Sequence, residues 1–238
     1  MTDPGLRERK KARTRQVIAD AAARLFAQRG YEQVAVSDVA REAEVSEQTV
    51  YNYFQTKEQL VTDHDQLVQD ELSRLIRTRA PGTTPAAAIR EFVLGTVEGI
   101  RRIPAGQWRG ELGFLAAISP TVHRLALEMS DRQASVVATA IAETETVAPE
   151  IAKLRGIALA GVFQIIITEA GRRARKGQSQ DQIADELRPA IEAVLDDLDA
   201  WLTPATDQHS RNRATEAAGS PPPIPPGPPG PATSPPEG

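Results

Sequence analysis

The sequence contains no cysteine, few aromatic residues and no long apolar run. Without cysteine the chain can form no disulfide bond and offers no thiolate metal ligand or cysteine nucleophile. Aromatic residues make up 4% of the 238 residues, and no run of about 18 apolar residues could span a membrane. The N-terminal segment is polar and basic, without the apolar stretch of a secretory signal. These features favour a cytoplasmic protein.

The sequence also contains few candidate catalytic or metal-binding residues. The three histidines, His64, His123 and His209, are far apart in sequence, and none has a second histidine or a carboxylate in helical register to suggest a metal site. No glycine-rich phosphate loop is present. We therefore predict that the chain is not an enzyme and that it requires no metal and no cofactor.

The hydrophobic pattern is helical throughout the first 202 residues. Apolar residues recur at three- and four-residue spacing, and no segment shows the sustained alternation typical of strands. This predicts an all-α fold. The predicted divisions are a basic flexible arm (1–10), an N-terminal helical domain (11–71), a larger helical domain (72–202), and a disordered Pro-rich tail (203–238).

The stretch VAVSDVAREAEVSEQTVYNYFQTK, from Val34 to Lys57, spells two short helices joined by a tight turn. The first is predicted over Ser37–Ala43. The second is predicted over Glu47–Tyr53, because the Ser46 hydroxyl can cap its first turn and a carboxylate at Glu47 suits the positive end of the helix dipole. Val45, Val50 and Phe54 would pack against the first helix. The polar side chains left to face DNA are Gln48, Thr49, Tyr51, Asn52 and Tyr53.

Positive charge is concentrated before this motif, although the whole chain carries a net charge of -4. Six basic residues crowd the N-terminal arm: Arg7, Arg9, Lys10, Lys11, Arg13 and Arg15. Such a basic arm on an acidic body would localise contact with phosphates. Lys57 is predicted to open a long helix that ends near Arg79, so that its ammonium and the helix N-terminus could both meet a phosphate.

The pattern V-x-x-V-A-x-x-A-x-V-S-x-x-T-V-Y-x-Y-F-x-x-K-E-x-L, from Val36 to Leu60, resembles the DNA-binding domain of tetracycline-repressor-type (TetR) regulators. An upstream A-A-x-x-L-F-x-x-x-G-Y stretch that ends at Tyr31 resembles the end of that family's first helix. The resemblance covers about the first quarter of the chain. Three positions depart from the family pattern: Glu44 and Gln48 replace common glycines, and Ala35 replaces the usual capping threonine. Gln48 could instead read adenine through its amide.

The resemblance implies a homodimeric, ligand-responsive transcriptional regulator, most simply a repressor that a small inducer releases from a palindromic operator. Residues 11–71 would form the DNA-binding domain, with the helix-turn-helix at about 34–53, and residues 72–202 the helical ligand-binding and dimerisation domain. The DNA-contacting residues would be Arg13, Arg15, Ser37, Ser46, Glu47, Gln48, Thr49, Tyr51, Asn52, Tyr53 and Lys57. Candidates for the ligand pocket are the residues that break the aliphatic pattern: Phe92, Thr96, Trp108, Glu111, Phe114, His123, Phe163 and Gln164. The many aliphatic and few aromatic residues favour an apolar, flexible ligand.

We predict that the last two helices form the dimer interface. The first of them is predicted from Pro149 to about Lys176, and the second contains an apolar stripe between Ile183 and Trp201. In the first helix, the small residues Ala158 and Gly161 lie between larger apolar residues, so another helix could approach closely there. The stripe in the second consists of Ile183, Leu187, Ile191, Val194, Leu198 and Trp201. Two such helices from each subunit would close a four-helix bundle, although the same stripe could serve as intramolecular core.

The tail from residue 203 to residue 238 has a different composition, with 11 prolines among 36 residues. Such a segment cannot bury enough apolar surface to fold, and we predict an extended coil.

Two further functions of the protein stay open from the sequence. The protein could be an activator with the same DNA-binding domain, or a helical scaffold that binds a partner through the Pro-rich tail.

Overall fold

Every regular element in the described part of the chain is a helix. The computed structural model describes residues 4–203, so residues 1–3 of the predicted arm and residues 204–238 of the predicted tail lie outside it. The helices are α1 (Pro4–Arg29), α2 (Val36–Glu42), α3 (Glu47–Tyr53), α4 (Asp65–Arg77), α5 (Pro85–Gly99), α6 (Leu112–Ala116), α7 (Pro120–Thr144), α8 (Pro149–Arg175) and α9 (Gln180–Leu202). The all-α prediction is confirmed over these residues.

Several helices begin where the sequence places a capping side chain. The Thr84 hydroxyl accepts the N–H of Ala87 at 3.0 Å, and Pro85 occupies the first turn of α5. Helix α1 starts earlier than expected, at Pro4, so the described part of the predicted flexible arm is helical. The lysine, arginine and glutamate residues of this segment are good helix formers, and no glycine or proline interrupts it from residue 6 to residue 29.

The single helix predicted from Lys57 to Arg79 is wrong. A 3₁₀ turn at Glu58–Leu60 is followed by a break, and α4 begins only at Asp65. The buried Asp65 carboxylate accepts hydrogen bonds from Arg132 Nε at 3.0 Å and from Gln133 Nε2 at 3.0 Å, both on α7. These contacts fix the start of α4 against α7, and nothing in the local pattern of residues 57–79 encodes them.

The segment from Trp108 to Ile118, whose apolar residues before Pro120 predict one short helix, is also interrupted. A 3₁₀ turn, Trp108–Gly110, precedes α6, and between them Glu111 has the extended backbone angles φ −77° and ψ 153°. The turn packs directly against α1. A Cβ added to Gly110 would lie 1.8 Å from the carbonyl oxygen of Ala23, so only glycine permits this approach. The interruption therefore follows from a contact between distant segments.

Two apolar clusters organise the described residues, and the first extends beyond the N-terminal helices. It contains Phe26 of α1 and Val50 of α3, together with Leu115 of α6 and Val122 of α7. The Ser119 hydroxyl at the start of α7 also donates a hydrogen bond to the carboxylate of Glu32, which follows α1. The second, larger cluster joins α4, α5, α7, α8 and α9. The N-terminal helices thus rest on α6 and on the beginning of α7.

Glu111 lies half-buried at this joint. Burial, together with the nearby carboxylate of Asp20, raises the pKa of Glu111 from an ordinary value of 4.5 to about 7. The folded chain therefore keeps this carboxyl protonated over a pH range in which the unfolded chain releases the proton.

We expect the free energy of unfolding to fall as the pH rises from about 4.5 through 7, because ionised Glu111 is disfavoured only in the folded state. Glu111→Gln mimics the protonated form, so it should match the wild type near pH 4.5 and exceed it by up to about 3 kcal/mol at pH 8. Urea unfolding at both pH values measures the difference. The exposed Glu91→Gln on α5 serves as the control, and a pH-independent effect of Glu111→Gln would contradict the burial argument.

Helices α8 and α9 differ from the expectation that both supply a dimer surface. In α9, Ile183, Leu187 and Ile191 are at most 2% exposed, because they pack into the core of their own chain. This part of the predicted stripe is intramolecular core. Only Trp201 of the six residues is largely exposed, at 48%.

Helix α8 shows two apolar faces. Its buried face, which includes Leu159, Phe163 and Ile166, joins the larger cluster. Its other face leaves a row of aliphatic side chains 41–51% exposed: Ile151, Leu154, Ile157 and Ile165. By length and composition alone α8 could cross a membrane, but core packing accounts for its buried half.

Candidate nucleic-acid interface

The recognition helix begins and ends where the sequence predicted. Helix α3 spans Glu47–Tyr53, and the Ser46 hydroxyl accepts the N–H of Thr49 at 3.1 Å. The preceding α2 spans Val36–Glu42, one residue earlier than predicted. Between the two helices Glu44 has a φ of +54°. This conformation costs a non-glycine residue about 1 kcal/mol, which the packed turn tolerates.

The alanine at the start of α2 leaves that helix without a side-chain cap of the usual kind. The backbone N–H of Ala35 instead donates to Asp38 Oδ2 at 3.1 Å. This hydrogen bond, with the positive charges of Arg29 and Arg41, lowers the pKa of Asp38. The carboxylate thus completes one half of a capping box, and Ser37 lies partly exposed in the first turn.

Helix α3 buries one face and exposes the other. Val50 and Phe54 are at most 1% exposed and pack in the N-terminal cluster, where Val45 covers them in part. On the outer face Gln48 Nε2 donates to Asn52 Oδ1 at 3.2 Å, so two amides one turn apart are held together. Glu47 and Tyr51 are exposed and Thr49 is partly buried, whereas Tyr53 is partly buried against the N-terminal cluster. This face presents donors and acceptors suited to base edges.

Lys57 lies beside the N-terminal cluster and does not open a long helix. Its Nζ is 4.2 Å from the centroid of the Tyr31 ring, which holds the ammonium by a cation–π contact. Partial burial lowers the pKa of Lys57, and the carboxylates of Glu32 and Glu58 oppose that change. The same burial and the same two carboxylates raise the pKa of Tyr31 to about 12. The phenol is therefore neutral, and Lys57 has a fixed position on it.

Arg15, which the sequence predicts to contact a phosphate, makes several contacts within the chain. Its Nη1 donates to the carbonyl oxygen of Tyr53 at 2.8 Å, and its guanidinium pairs with the carboxylate of Asp63. The group also lies 4.4 Å from the centroid of the Phe54 ring. Arg15 thereby braces the end of α3 against α1. Arg13, two residues earlier, is exposed and makes no polar contact with the rest of residues 4–203.

The predicted ligand residues do not converge. The rings of Phe92 and Phe163 are 5.9 Å apart and pack in the large core. Trp108 packs against the same core, and the exposed Thr96 donates its hydroxyl to the carbonyl of Phe92. Glu111 lies at the joint with α1. Phe114 lies beside Arg109, and Gln164 Nε2 bonds to Thr168 Oγ1 at 3.4 Å.

A cavity of about 530 Å³ lies between α6, the start of α7 and the end of α8. Its walls are Gly113, Ala116, Ala117, His123, Thr168, Arg172, Arg175 and Lys176. Only His123 among the eight predicted ligand residues lines it. The basic residues were not predicted from the sequence because lysine and arginine are common at the C-terminal end of a helix, where they complement the negative end of the dipole. Within residues 4–203 no group of three histidine or carboxylate side chains could hold a metal ion.

Comparison with known proteins agrees with the geometry of α2 and α3. The family described as "Bacterial regulatory proteins, tetR family" matches residues 18–63. The HTH-type transcriptional regulator TcmR of Streptomyces glaucescens is 25% identical over 151 residues, which cover 63% of this chain and 62% of TcmR. The dhaKLM operon transcriptional activator DhaS of Lactococcus lactis is 36% identical over 70 residues, which cover 27% of this chain and 37% of DhaS. The chain thus spans less than two thirds of these curated relatives.

Solved structures share the fold. NalD of Pseudomonas aeruginosa, a secondary repressor of the MexAB-OprM efflux pump, superposes with a TM-score of 0.51 at 19% identity, over 77% of this chain and 97% of NalD. SmeT in complex with triclosan gives a TM-score of 0.52 at 15% identity, over 76% of this chain and 90% of SmeT. The family match covers the helix-turn-helix within residues 18–63, and the fold shared with these structures extends through the helical body; the described chain therefore has a TetR-like fold with an N-terminal helix-turn-helix.

Proposed function

We propose that the protein is a sequence-specific, DNA-binding transcriptional regulator in the cytoplasm, with no catalytic activity. The proposal rests on the two faces of α3. Val50 and the adjoining Phe54 are buried and anchor the helix in the N-terminal cluster, and its outer face presents polar side chains, among them the hydrogen-bonded amides of Gln48 and Asn52. A capped helix of this kind fits the major groove of B-DNA. Gln48, Thr49, Tyr51 and Asn52 would lie near base edges.

Phosphate contacts would come from the groups around α3. Arg13 and the other basic residues of the first half of α1 are exposed, and Arg15 links the same helix to the end of α3. Lys57, Ser46 and Tyr53 complete the set. Since the whole chain has a net charge of -4, this local positive charge would restrict DNA contact to one end of the molecule.

The regulator would act as a homodimer. One α3 reads only a few base pairs, whereas two related by a two-fold axis read half-sites about 34 Å apart. The exposed aliphatic face of α8 supports this assembly, because Leu154 and Ile157 are each 51% exposed in the single chain. Trp201 and the partly buried Val194 and Leu198 of α9 would border the contact.

A small molecule would control DNA binding by favouring a dimer whose recognition helices no longer match the operator. Such control requires only that the ligand binds one of two dimer states more tightly. Repression is the simplest outcome, in which the ligand releases the protein from a palindromic operator. Activation is the second candidate, favoured by the relative DhaS, which is named an activator.

Lys57→Ala is expected to weaken binding to specific and scrambled DNA by a similar factor, because its charge would meet a phosphate and read no base. The slope of log affinity against log salt concentration should fall by about 1. Anisotropy titrations at several salt concentrations measure both quantities, with the exposed Lys153→Ala on α8 as the control. Loss of affinity for one operator sequence alone would show that Lys57 does not act through the backbone.

Gln48→Ala should relax base discrimination at one position of each half-site, at a cost of about 1–3 kcal/mol for the preferred base. The hydrogen bond to Asn52 holds the amide in a fixed orientation, so its removal should affect one base pair most strongly. Selection from a randomised operator library reports this directly. An unchanged preference at every position would remove Gln48 from the base-reading set.

A further inference from the structure

We propose that the cavity between α6, α7 and α8 binds an amphipathic anion, with an apolar body and a carboxylate or phosphate head. This inference rests on the proposed function and names the ligand class through which the regulator would respond. The volume of about 530 Å³ suits a small organic molecule. Gly113, Ala116 and Ala117, in α6 and just after it, form an apolar wall, and the basic side chains lie opposite, at the C-terminal end of α8.

The positive charge at this cavity exceeds what the chain itself neutralises. Arg172 is paired with Glu169, whose Oε2 lies 2.5 Å from Nη2. No carboxylate of the described chain pairs with Arg175 or Lys176. His123, across the cavity on α7, likewise makes no side-chain hydrogen bond or ion pair with residues 4–203. An anion would find two unpaired cations and an imidazole on the same cavity.

Arg175 reaches across to the opposite wall and does not serve only the end of its own helix. Its Nη1 donates to the carbonyl oxygen of Ala117 at 3.0 Å, and the other N–H groups of the guanidinium stay available. A basic residue that merely complements the α8 dipole would contact the last carbonyls of α8. Its position across the cavity places a bidentate donor beside the apolar wall.

Glycines fix the spacing of the two walls. A Cβ on Gly171 would lie 2.0 Å from the carbonyl oxygen of Gly113, so α6 and α8 touch through their backbones at this point. The contact holds α6 rigidly beside α8, and Thr168 and Arg172 line the cavity around the crossing. The cavity is therefore a feature of the packed backbone, and a ligand body would rest on groups that do not rotate.

The position of the cavity suits a regulatory ligand. Helix α6, which forms one wall, begins two residues after Gly110, whose backbone contacts Ala23 of α1. Helix α1 carries Arg15, which holds the end of the recognition helix. An occupant that displaces α6 together with the end of α8 would therefore act on the joint between the helical body and the DNA-binding helices.

The test is isothermal titration of the full chain, without DNA, with octanoate, octyl phosphate and neutral octanol. We expect one anion or both to bind at least ten-fold more tightly than octanol, and the comparison of octanoate with octyl phosphate identifies the preferred head. Arg175→Gln with Lys176→Gln should weaken the preferred anion at least ten-fold and leave octanol unchanged, and Lys153→Gln should have no effect. Lys176→Gln alone keeps the test valid if the double variant fails to fold.

Three results would overturn the proposal: equal affinity for octanol and the anions, unchanged anion binding in the variants, or no binding of any of the three compounds. None of these bears on DNA binding, which is measured separately on the same preparations. Failure of the anion site would thus be distinguishable from failure of the proposed regulator function.

Discussion

Gly110→Ala is expected to lower the free energy of unfolding by about 2–3 kcal/mol. The added Cβ would lie 1.8 Å from the carbonyl oxygen of Ala23 and 2.9 Å from its Cα. These are backbone atoms of a long helix, so no side-chain rotation can relieve the clash. The 3₁₀ turn would have to move away from α1, which opens the joint that Leu115 and Val122 help to fill.

Urea unfolding followed by circular dichroism measures this loss. Gly95→Ala on α5 is the matched control, because a Cβ there meets nothing within 4 Å. That variant should gain up to about 1 kcal/mol from the higher helix propensity of alanine. If Gly110→Ala were as stable as Gly95→Ala, the close contact between the 3₁₀ turn and α1 would be refuted.

The double variant Leu154→Asp with Ile157→Asp should convert the dimer to a monomer and weaken operator binding about 100-fold or more. Both side chains lie on the exposed face of α8, where a two-fold contact would bury each against its counterpart. Carboxylates buried there would be costly to desolvate and would repel one another. A monomer also loses the linkage between two half-sites, which is worth a factor of about 10²–10⁴.

Analytical ultracentrifugation gives the oligomeric state, and anisotropy with a palindromic duplex gives the affinity. Leu127→Asp alters another exposed leucine, 48% exposed, on α7 and not on α8, and should change neither quantity. A double variant that remains dimeric with full affinity would place the interface elsewhere.

Local signals predicted the recognition helix to the residue. Ser46 caps it, and Val50 and Phe54 define its buried side; each signal lies within one or two turns of the feature it determines. The breaks after Leu60 and at Glu111 could not be predicted in this way. They depend on hydrogen bonds from α7 to Asp65 and on a glycine contact with α1, both between segments more than 60 residues apart.

The candidate sites show the same division. The outer face of α3 follows from helical periodicity, so the residues proposed to read bases could be named from the sequence. The contacts of Arg15 with Tyr53 and Asp63 could not be predicted from the sequence, because these partners are 38 and 48 residues away. The ligand residues were chosen because they interrupt an aliphatic pattern, which does not reveal whether a side chain fills the core or lines a cavity. Gly113 and Gly171 could have indicated where the cavity lies, since glycines on two helices permit their backbones to touch, as α6 and α8 do beside the cavity.

Sequence-specific DNA binding by a dimer can be measured by fluorescence-anisotropy titration with duplex from the protein's own upstream intergenic region, at several salt concentrations and against a scrambled duplex. We expect saturation at two subunits per palindromic site and far tighter binding than to the scrambled duplex. Equal, weak and steeply salt-dependent binding to both duplexes would contradict this expectation, because the basic segment alone would then explain the affinity.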